Sequence, residues 1–279
     1  METKHLLVIF FAFILLSSCS ENEVTTLEAP SVSFDARSNW QESTLTNTFF
    51  ENQKETSHYS FDKKEIVDAL SIPNLIGFRF VLGLQADELQ ITMVGINHEG
   101  NEVVKISSEI YENSSIYDTP IQALKESPFT YAKSRINAPF VGEHLLSYAS
   151  VYKYVSKWQN ALDSGEIKNV ITDKGVRYRY YSLEKEVIAN MVAKNNVESI
   201  ALFLGLNAQN KLTTVFLQKD VSNQLILNNS LLKNSENGEA FDFSEPCPNT
   251  CGTCKCANGV VQPCGKACAD GSKPVPIDD

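Results

Sequence analysis

Three short blocks of this sequence occur twice, in the same order and at nearly constant spacing. The matching segments are 38–41 with 156–159, 59–67 with 181–188 (one residue deleted), and 80–86 with 202–208. Their offsets lie between 118 and 122 residues, and the two tryptophans, Trp40 and Trp158, occupy the same place in each copy. Collinear self-similarity at a nearly fixed spacing indicates a duplicated structural unit. The chain is therefore expected to contain one small unit twice.

Each copy has the pattern of a helix, a short strand, a second helix and a β-meander. Ser60 and Ser182 stand where the N-cap of the second helix is expected, with acidic residues in the following turn. The apolar stripe of that helix is Ile66, Val67 and Leu70 in the first copy, and Val187, Ile188 and Met191 in the second. This spacing predicts a short amphipathic helix in both copies.

The meander is indicated by alternation of apolar residues. The sets are Phe78, Phe80, Leu82 and Leu84 in one copy, and Ile200, Leu202, Leu204 and Leu206 in the other. A period of two is typical of a strand with one buried face. Further strands are expected at 91–96 and 103–106, and in the second copy at 213–217 and 224–227.

These patterns predict an α+β fold made of two tandem helix-helix-β-meander repeats and a small disulfide-rich C-terminal tail. Because two helices over three strands form a small unit, two arrangements are open: two separate repeats, or both repeats packed into one six-stranded body. The expected segments are a signal peptide at 1–18, a lipid-anchored tether at 19–33, repeat 1 at 34–108, a linker at 109–144, repeat 2 at 145–232, and a linker with the Cys-rich tail at 233–279.

The repeated blocks resemble an uncharacterised domain family of exported Bacteroidota lipoproteins. In that family a capped helix precedes a Gly-h-Arg-x-x-h-Gly-Leu strand (h, apolar), a hairpin and often a closing Cys-Pro-x-x-Cys. The first copy carries the strand motif at 77–84, whereas the second has Ser199 and Ala201 in place of the Gly and the Arg. Cys247-Pro248-Asn249-Thr250-Cys251, which has the form of the closing motif, follows the second copy only. The resemblance covers residues 34–108 and 145–251 and implies no activity.

The N-terminus has the features of an export signal. Leu6 to Leu16 is an apolar run of eleven residues, which as a helix is about 17 Å long and too short for the roughly 30 Å core of a bilayer. The run suits a signal peptide, and the Leu16-Ser17-Ser18-Cys19 that follows is similar to a lipobox. Cys19 is thus expected to carry the acyl chains that anchor the mature protein in a lipid bilayer, since anchoring by two chains is stable.

The residues after Cys19 bear on localisation. Ser20, where an Asp would be an inner-membrane signal in enteric bacteria, favours the outer membrane. Ser20-Glu21-Asn22-Glu23 is also similar to the acidic surface-export signals of Bacteroidota lipoproteins, and an ordinary polar tether explains it equally well. The expectation is an outer-membrane lipoprotein that faces either the periplasm or the cell surface.

Net charge argues against nucleic acid as a partner. The chain carries a formal charge of −10, which removal of residues 1–18 leaves unchanged. Nucleic-acid binding depends on neutralising phosphates with basic side chains. The aromatic and basic stretch 177–181 is better explained as a strand launched by the turn Asp173-Lys174-Gly175. The turn at 97–101, with Glu99 as its only carboxylate, is likewise favoured as a hairpin over a calcium loop.

No catalytic motif supports an enzyme. After the signal peptide the histidines are His58, His98 and His144, and none lies in a recognisable hydrolase motif. His58 has no counterpart in the second copy, where Tyr180 stands. Lone histidines of this kind are usually surface or packing residues, so no catalytic residue, cofactor or metal site is assigned.

The tail concentrates six of the seven cysteines. Cys247, Cys251, Cys254, Cys256, Cys264 and Cys268 lie within 22 residues rich in Pro, Gly and Asn. Such a short segment needs cross-links or metal to hold a structure. Three disulfides are favoured for an exported protein, with fifteen possible pairings. Thiolate binding of zinc or copper(I) is the alternative, because Cys254-x-Cys256 is a soft-metal spacing.

The sequence thus favours a non-enzymatic envelope lipoprotein that binds or scaffolds an unknown envelope protein or ligand. A metal-handling lipoprotein that acts through the tail is the second hypothesis, and a hydrolase without a recognisable motif is the third.

Overall fold

The computed structural model describes residues 31–112 and 145–227, and short strands farther along the chain. Its helices are α1 (Phe34–Glu42), α2 (Asn47–Glu55), α3 (Lys63–Leu70), α4 (Tyr148–Ser164) and α5 (Lys185–Val192). The strands of the first half are β1 (Thr56–Asp62), β2 (Leu75–Gln85), β3 (Glu88–Asn97), β4 (Glu102–Ser107) and β5 (Glu109–Glu112). Those of the second half are β6 (Thr172–Asp173), β7 (Val176–Arg177), β8 (Tyr180–Glu184), β9 (Ser199–Leu206), β10 (Leu212–Lys219), β11 (Ala240–Phe241) and β12 (Glu245–Pro246). In the tail lie β13 (Thr253–Lys255), β14 (Val261–Pro263) and β15 (Val275–Pro276). The expected mixed α+β class is confirmed.

Two five-stranded antiparallel sheets form the body. Sheet A has the order β11-β10-β9-β1-β5, and sheet B has the order β12-β8-β2-β3-β4. A three-stranded sheet, β14-β13-β15, lies in the tail, and β6 and β7 form a separate hairpin. The body therefore contains more strands than the six that the sequence analysis expected.

Each half of the chain contributes two neighbouring strands to the sheet of the other half, β1 and β5 to sheet A, and β8 and β12 to sheet B. Strand β1 pairs with β9, and Tyr59 lies opposite Leu202. Strand β8 pairs with β2, and Tyr181 lies opposite Phe80. Tyr181 follows Tyr59 by 122 positions, and Leu202 follows Phe80 by 122 positions. The two exchanged pairings therefore have the same register.

The chain also passes from one sheet to the other at both edges of the body. Only Ser108 separates β4, the edge of sheet B, from β5, the edge of sheet A. On the other side three residues separate β11 in sheet A from β12 in sheet B. Residues 109–112, 240–241 and 245–246 therefore supply edge strands to the body, beyond the repeat bounds of 108 and 232 drawn from the sequence.

A single hydrophobic cluster fills the space between the sheets. Phe80 of sheet B contacts Phe216 and Phe61 of sheet A, with ring centroids 4.8 and 5.6 Å apart. Trp40 and Trp158 are buried in the same cluster, on α1 and α4. Since burying one large apolar side chain contributes roughly 1.5–3 kcal/mol, this shared core holds both halves together as one body.

Two glycines let helices approach the outer faces of the sheets. A Cβ at Gly83 on β2 would lie 2.3 Å from Val32 Cγ1 and 3.1 Å from Ala36 Cβ of α1. A Cβ at Gly205 on β9 would lie 2.9 Å from Tyr154 Cβ of α4. The contacts of 2.3 and 2.9 Å are shorter than real Cβ atoms show, and the contact of 3.1 Å is tighter than most. The Gly-Leu pair of each repeated block is thus explained by helix-on-sheet packing.

Helices α3 and α5 begin two residues later than expected, so the assignment of Ser60 and Ser182 as their N-caps is wrong. The residue before α3 is Asp62, whose side chain accepts a hydrogen bond from the amide of Glu65, and Glu184 precedes α5. Ser60 and Ser182 lie in β1 and β8, which pair with a neighbour on both sides. Strand pairing on both edges therefore outweighs the local capping preference.

Two smaller expectations also need correction. Val67 is 42% exposed, and Ala69 instead joins Ile66 on the buried side of α3. Residues 224–227 form only one bridge, between Leu225 and Lys219, rather than a strand. Strand β11 pairs instead with Phe216 and Leu217 of β10. Sequence periodicity could not identify β11, because a strand of two residues is too short to show alternation.

Candidate functional site

Two ionisable side chains, His58 and Lys219, are fully buried against each other in sheet A. His58 lies on β1, and Lys219 is the last residue of β10. Lys219 alternates with Leu217 and Val215, which belong to the hydrophobic cluster beneath α4. The pair thus lies on the face of sheet A that α4 covers, and β9 separates the two strands. We call Ser57, His58, Glu109, Tyr111, Phe203, Lys219 and Asn223 the polar cluster.

The contact between the pair determines the protonation of the imidazole. Lys219 Nζ lies 3.2 Å from His58 Nε2, and His58 Nδ1 lies 3.2 Å from the hydroxyl of Ser57. Because an ammonium group has only donors to offer, Nε2 must be the unprotonated, accepting nitrogen. This assigns the proton to Nδ1, which donates to Ser57 Oγ.

Aromatic rings enclose the pair. The ring of Tyr111 on β5 stacks on His58 at 4.7 Å between centroids and 9° between planes, and Phe203 lies 5.0 Å from His58. The ammonium of Lys219 is 3.7 Å from the centroid of the Tyr111 ring, a cation–π distance. Tyr111 therefore covers both members of the pair at once.

Hydrogen bonds hold Tyr111 in this position. Its hydroxyl donates to Glu109 Oε2 at 2.9 Å and accepts from Asn223 Nδ2 at 2.9 Å. Asn223 lies in the turn after β10, which the carboxylate of Asp220 orders by accepting the amides of Ser222 and Gln224. The polar cluster thus joins β1, β5 and the end of β10.

Burial shifts the pKa of both bases downward. Desolvation, with the charge of Lys219 as a second cause, lowers the pKa of His58 from 6.5 to about 3. Desolvation also lowers the pKa of Lys219 from 10.5 to about 8, against the opposing effect of the Glu109 carboxylate. At pH 7 the pair therefore consists of a neutral imidazole and an ammonium, as the hydrogen bond requires.

An amine with a lowered pKa is a better nucleophile or base near neutral pH. Here, however, both groups are completely covered by protein. In this conformation the arrangement can join strands and respond to protons, but it does not present Lys219 to a solute.

The sequence analysis missed Lys219 and treated His58 as a lone surface or packing histidine. The pairing registers show a signal that could have found them. His58 corresponds to Tyr180 at the 122-residue offset. Lys219 lies opposite Ser199 in its hairpin, and Ile96 lies opposite Gly77, the counterpart of Ser199. Lys219 therefore corresponds to Ile96. At both positions one copy has an ionisable residue where the other copy has an apolar or aromatic residue. This difference between the copies is the signal that the sequence contains.

The remaining sequence candidates are accounted for as follows. The stretch 177–181 follows the β6–β7 turn as expected, with Lys174 and Gly175 at positive φ. Arg177 donates to the carbonyls of Trp40 and Ser43, so its guanidinium serves packing. At 97–101 the side chain of Asn97 accepts the amides of Glu99 and Asn101, which confirms a hairpin turn. His98 in this turn is exposed.

Most of the predicted lipidation and cysteine sites lie outside the described residues. These are Cys19, Cys247, Cys251, Cys256, Cys264 and Cys268, together with His144. Cys254 lies on β13, where its backbone is opposite Gln262 and Pro276. Within the described ranges no three His, Cys, Asp or Glu side chains are grouped so that they could hold a metal ion.

A search of the described helices found none with the length and apolar character needed to cross a membrane. No protein family, no curated protein and no solved structure matches this chain. Its function is therefore inferred from its own residues.

Proposed function

We propose that this chain is an outer-membrane lipoprotein, anchored through Cys19, whose two-sheet body is a binding or scaffolding module. The observation that carries the proposal is the order of an eleven-residue apolar run, two small residues and Cys19 at the N-terminus. The body begins at Val32, whose amide donates to Thr92 and whose side chain packs on Gly83, so a spacer of at most twelve residues, 20–31, follows the anchor. That length lets a folded body stand clear of a membrane surface.

The geometry of the body supports a non-catalytic role. The two side chains with the largest downward pKa shifts, His58 and Lys219, are enclosed by protein rather than displayed in a cleft. Sheets that share one core and are crossed by the chain at both edges make a rigid platform. Such a platform suits display of a surface to a partner, here an unidentified envelope protein or ligand.

We also propose that the body arose by tandem duplication of a unit related to the Bacteroidota domain family. The repeated sequence blocks support this, and so does the equal register of the two exchanged pairings. A second correspondence adds to it. Ile106 and Glu109 lie opposite Met93 and Ser60, as Phe241 and Glu245 lie opposite Phe216 and Ser182.

For the tail we propose three disulfides, on the grounds of export and an even number of cysteines. The competing proposal is a thiolate site for zinc or copper(I), which the spacing Cys254-x-Cys256 favours. Metal analysis of the purified full chain, reduced and oxidised, separates them. One zinc or copper per chain that survives dialysis supports metal handling, whereas no bound metal and no free thiol supports disulfides.

Replacement of the anchor tests the main proposal. We expect Cys19→Ser to abolish palmitate labelling and to release the protein from the membrane fraction or leave an unprocessed precursor. Cys268→Ser, which removes a cysteine far from the signal peptide, is the matched control and should remain labelled and membrane-bound. A processed, membrane-bound Cys19→Ser protein would refute lipid anchoring.

A further inference from the structure

The contact between the two halves of the chain has the form of a contact between two equal units. The first half contains α1 to α3 and β1 to β5, and the second contains α4, α5 and β6 to β12. Strand β1 pairs with β9 of the other half, and β8 pairs with β2 in the same register. Helices α3 and α5, which occupy the same place in the two copies, contact each other. Reciprocal pairing of this kind, with equal elements meeting, is the geometry of a two-fold dimer interface.

Large side chains of both halves are buried at this interface. Tyr59 and Phe61 of β1, and Tyr181 and Leu183 of β8, are each no more than 2% exposed. All four belong to the hydrophobic cluster that the two halves share. An interface that resembles a domain core cut in half is typical of obligate contacts. A half that is separated from its complement therefore presents a large apolar surface and requires a partner.

Polar contacts across the interface make it specific. Lys63 Nζ donates to the carbonyl of Lys194 at 2.8 Å, and Trp40 Nε1 donates to the carbonyl of Tyr178 at 2.6 Å. Each of these bonds joins one half to the other. Because they form only when the exchanged strands are in register, the partner that satisfies them is the complementary half of this chain. That half can belong to the same molecule or to a second copy.

The register of sheet A gives the distance between the two ends that the connection joins. Residues that lie opposite one another in successive strands are Ile110, Tyr59, Leu202, Phe216, Phe241 and Leu145. Five strand spacings of about 4.8 Å place Leu145 roughly 24 Å from Ile110. The connection between Glu112 and Leu145 consists of residues 113–144, and a chain of that length reaches up to roughly 110 Å. The connection is thus several times longer than closure within one molecule requires.

Closure within one molecule and closure between two molecules use the same contacts. The two differ in the concentration at which the complementary half is supplied. For modules joined by a short linker the effective concentration is of the order of 1 mM. A second copy therefore competes when its own concentration approaches this value.

We propose that the interface between the halves also binds a second copy of this chain, so that the first half of each molecule pairs with the second half of the other. The product is a dimer of two bodies, each built like that of the monomer. Because separation requires both bodies to open, the dimer persists on dilution. The inference depends on the strand pairings and not on the lipid anchor, and its test is independent of that proposal.

Refolding of the full chain at two concentrations measures the exchange. With an effective concentration of about 1 mM, under about 1% of the chains should refold as a dimer at about 3 µM, and about a quarter at about 300 µM. Size-exclusion chromatography with light scattering, after dilution to one common concentration, gives the dimer fraction. Protein that refolds only to the monomer at about 300 µM would contradict the proposal.

A pair of cysteines identifies the interface that the dimer uses. Ser60 Oγ donates to Ser199 Oγ at 3.2 Å across the halves. Chains with Ser60→Cys alone are refolded at about 300 µM together with chains that carry Ser199→Cys alone. Peptide mapping should find a disulfide between the two sites in the dimer fraction. The double variant refolded at about 3 µM is the matched control, and it should form the same bridge within one chain. A dimer that lacks the bridge, when the control forms it, would place the contact elsewhere and overturn the proposal.

A shortened connection is the second test. Deletion of residues 114–143 leaves two residues between Glu112 and Leu145, which span at most about 11 Å. This is less than half of the roughly 24 Å between the strands, so the variant should be a dimer even at about 3 µM. Replacement of residues 114–143 by an equal length of Gly and Ser is the matched control and should remain a monomer at that concentration. A folded monomer of the deletion variant would refute the exchange. If that variant does not fold, the refolding of the wild type decides.

Discussion

Lys219 is a cation without a carboxylate partner within salt-bridge distance among the described residues, and it is fully buried. Its ammonium is stabilised by an imidazole acceptor and the face of the Tyr111 ring. These contacts only partly replace hydration, which is why burial lowers the pKa of Lys219 to about 8. The His58 acceptor, the Tyr111 ring and the Lys219 cation link β1, β5 and β10. Burial of these groups makes the free energy of unfolding depend on pH.

The sign of that dependence follows from proton binding. Between about pH 8 and 10.5 the unfolded state binds a proton at residue 219 that the folded state has lost. Stability contributed by Lys219 therefore increases as pH rises through this window. We expect the free energy of unfolding of the wild type to gain roughly 1–3 kcal/mol, relative to Lys219→Met, between pH 8 and pH 10.5.

Urea denaturation of both proteins across this range is the measurement. Burial raises the pKa of Tyr59, which destabilises both proteins at high pH, so the difference between them is the readout. Exposed Lys153→Met serves as a control and should track the wild type. A constant difference between wild type and Lys219→Met would contradict the buried, destabilised ammonium.

At the scale of elements, close approach of helices to sheets depends on the two glycines of the repeated blocks. The surroundings differ at the two sites. At Gly83 the nearest atoms belong to the Val32 side chain, whereas at Gly205 they include the backbone of Tyr154, at 3.2 Å. A side chain can rotate away, but the backbone of the seventeen-residue helix α4 cannot move without disturbing its other contacts.

We therefore expect Gly205→Ala to destabilise the protein more than Gly83→Ala, with both costs in the range of about 1–3 kcal/mol. Denaturant unfolding gives the values. Val221→Ala, at a residue 84% exposed, should change stability by less than about 0.5 kcal/mol.

A compensating substitution tests the cause at the first glycine. Val32→Ala removes the atom that would lie 2.3 Å from the new Cβ at Gly83. Gly83→Ala should therefore cost less when Val32 is already Ala. Equal costs in both backgrounds would contradict a steric origin.

At the scale of the whole molecule, the exchange of β1 and β8 makes neither half a complete domain. Without the second half, β1 loses β9 and β2 loses β8. The helices α3 and α5, which contact each other across the halves, also lose their partner. We therefore expect the body to unfold as one cooperative unit, although its sequence contains two repeats.

We expect residues 31–112 and 145–246, expressed separately, not to fold as monomers. Expressed together, they should associate into one complex, since the missing strands are then supplied. Circular dichroism, thermal melting and size measurement test this. A half that melts cooperatively as a monomer would show that the exchanged strands are dispensable.

Reduction of the tail should leave the body intact. Bridges that close short loops stabilise by typically 2–4 kcal/mol each, but the repeats contain no cysteine through which the tail could be tied to them. We expect the Tm of the body to be the same with and without a reductant, while thiol counting finds six new thiols. A large drop in Tm would show that the tail supports the body.

The sequence by itself determined the local structure. Alternation of apolar residues predicted the long strands, turn chemistry predicted the hairpins at 97–101 and 173–175, and the duplicated blocks placed Trp40 and Trp158 on helices. These features depend on residues close together in the chain. The sequence does not show where tertiary strand pairing outweighs a local preference. Ser60 and Ser182 have the pattern of N-caps, yet both lie in strands.

Only the tertiary structure decided the exchange of strands, the crossing between sheet edges and the burial of His58 with Lys219. Alternation of apolar residues identifies the buried face of a strand but not the strand with which it pairs, because nearly all residues offer the same backbone donor and acceptor. His58 and Lys219 are 161 positions apart in the chain. Their contact exists because β9 of one half pairs with β1 of the other, and that choice is made by burial of whole sheet faces rather than by any local signal.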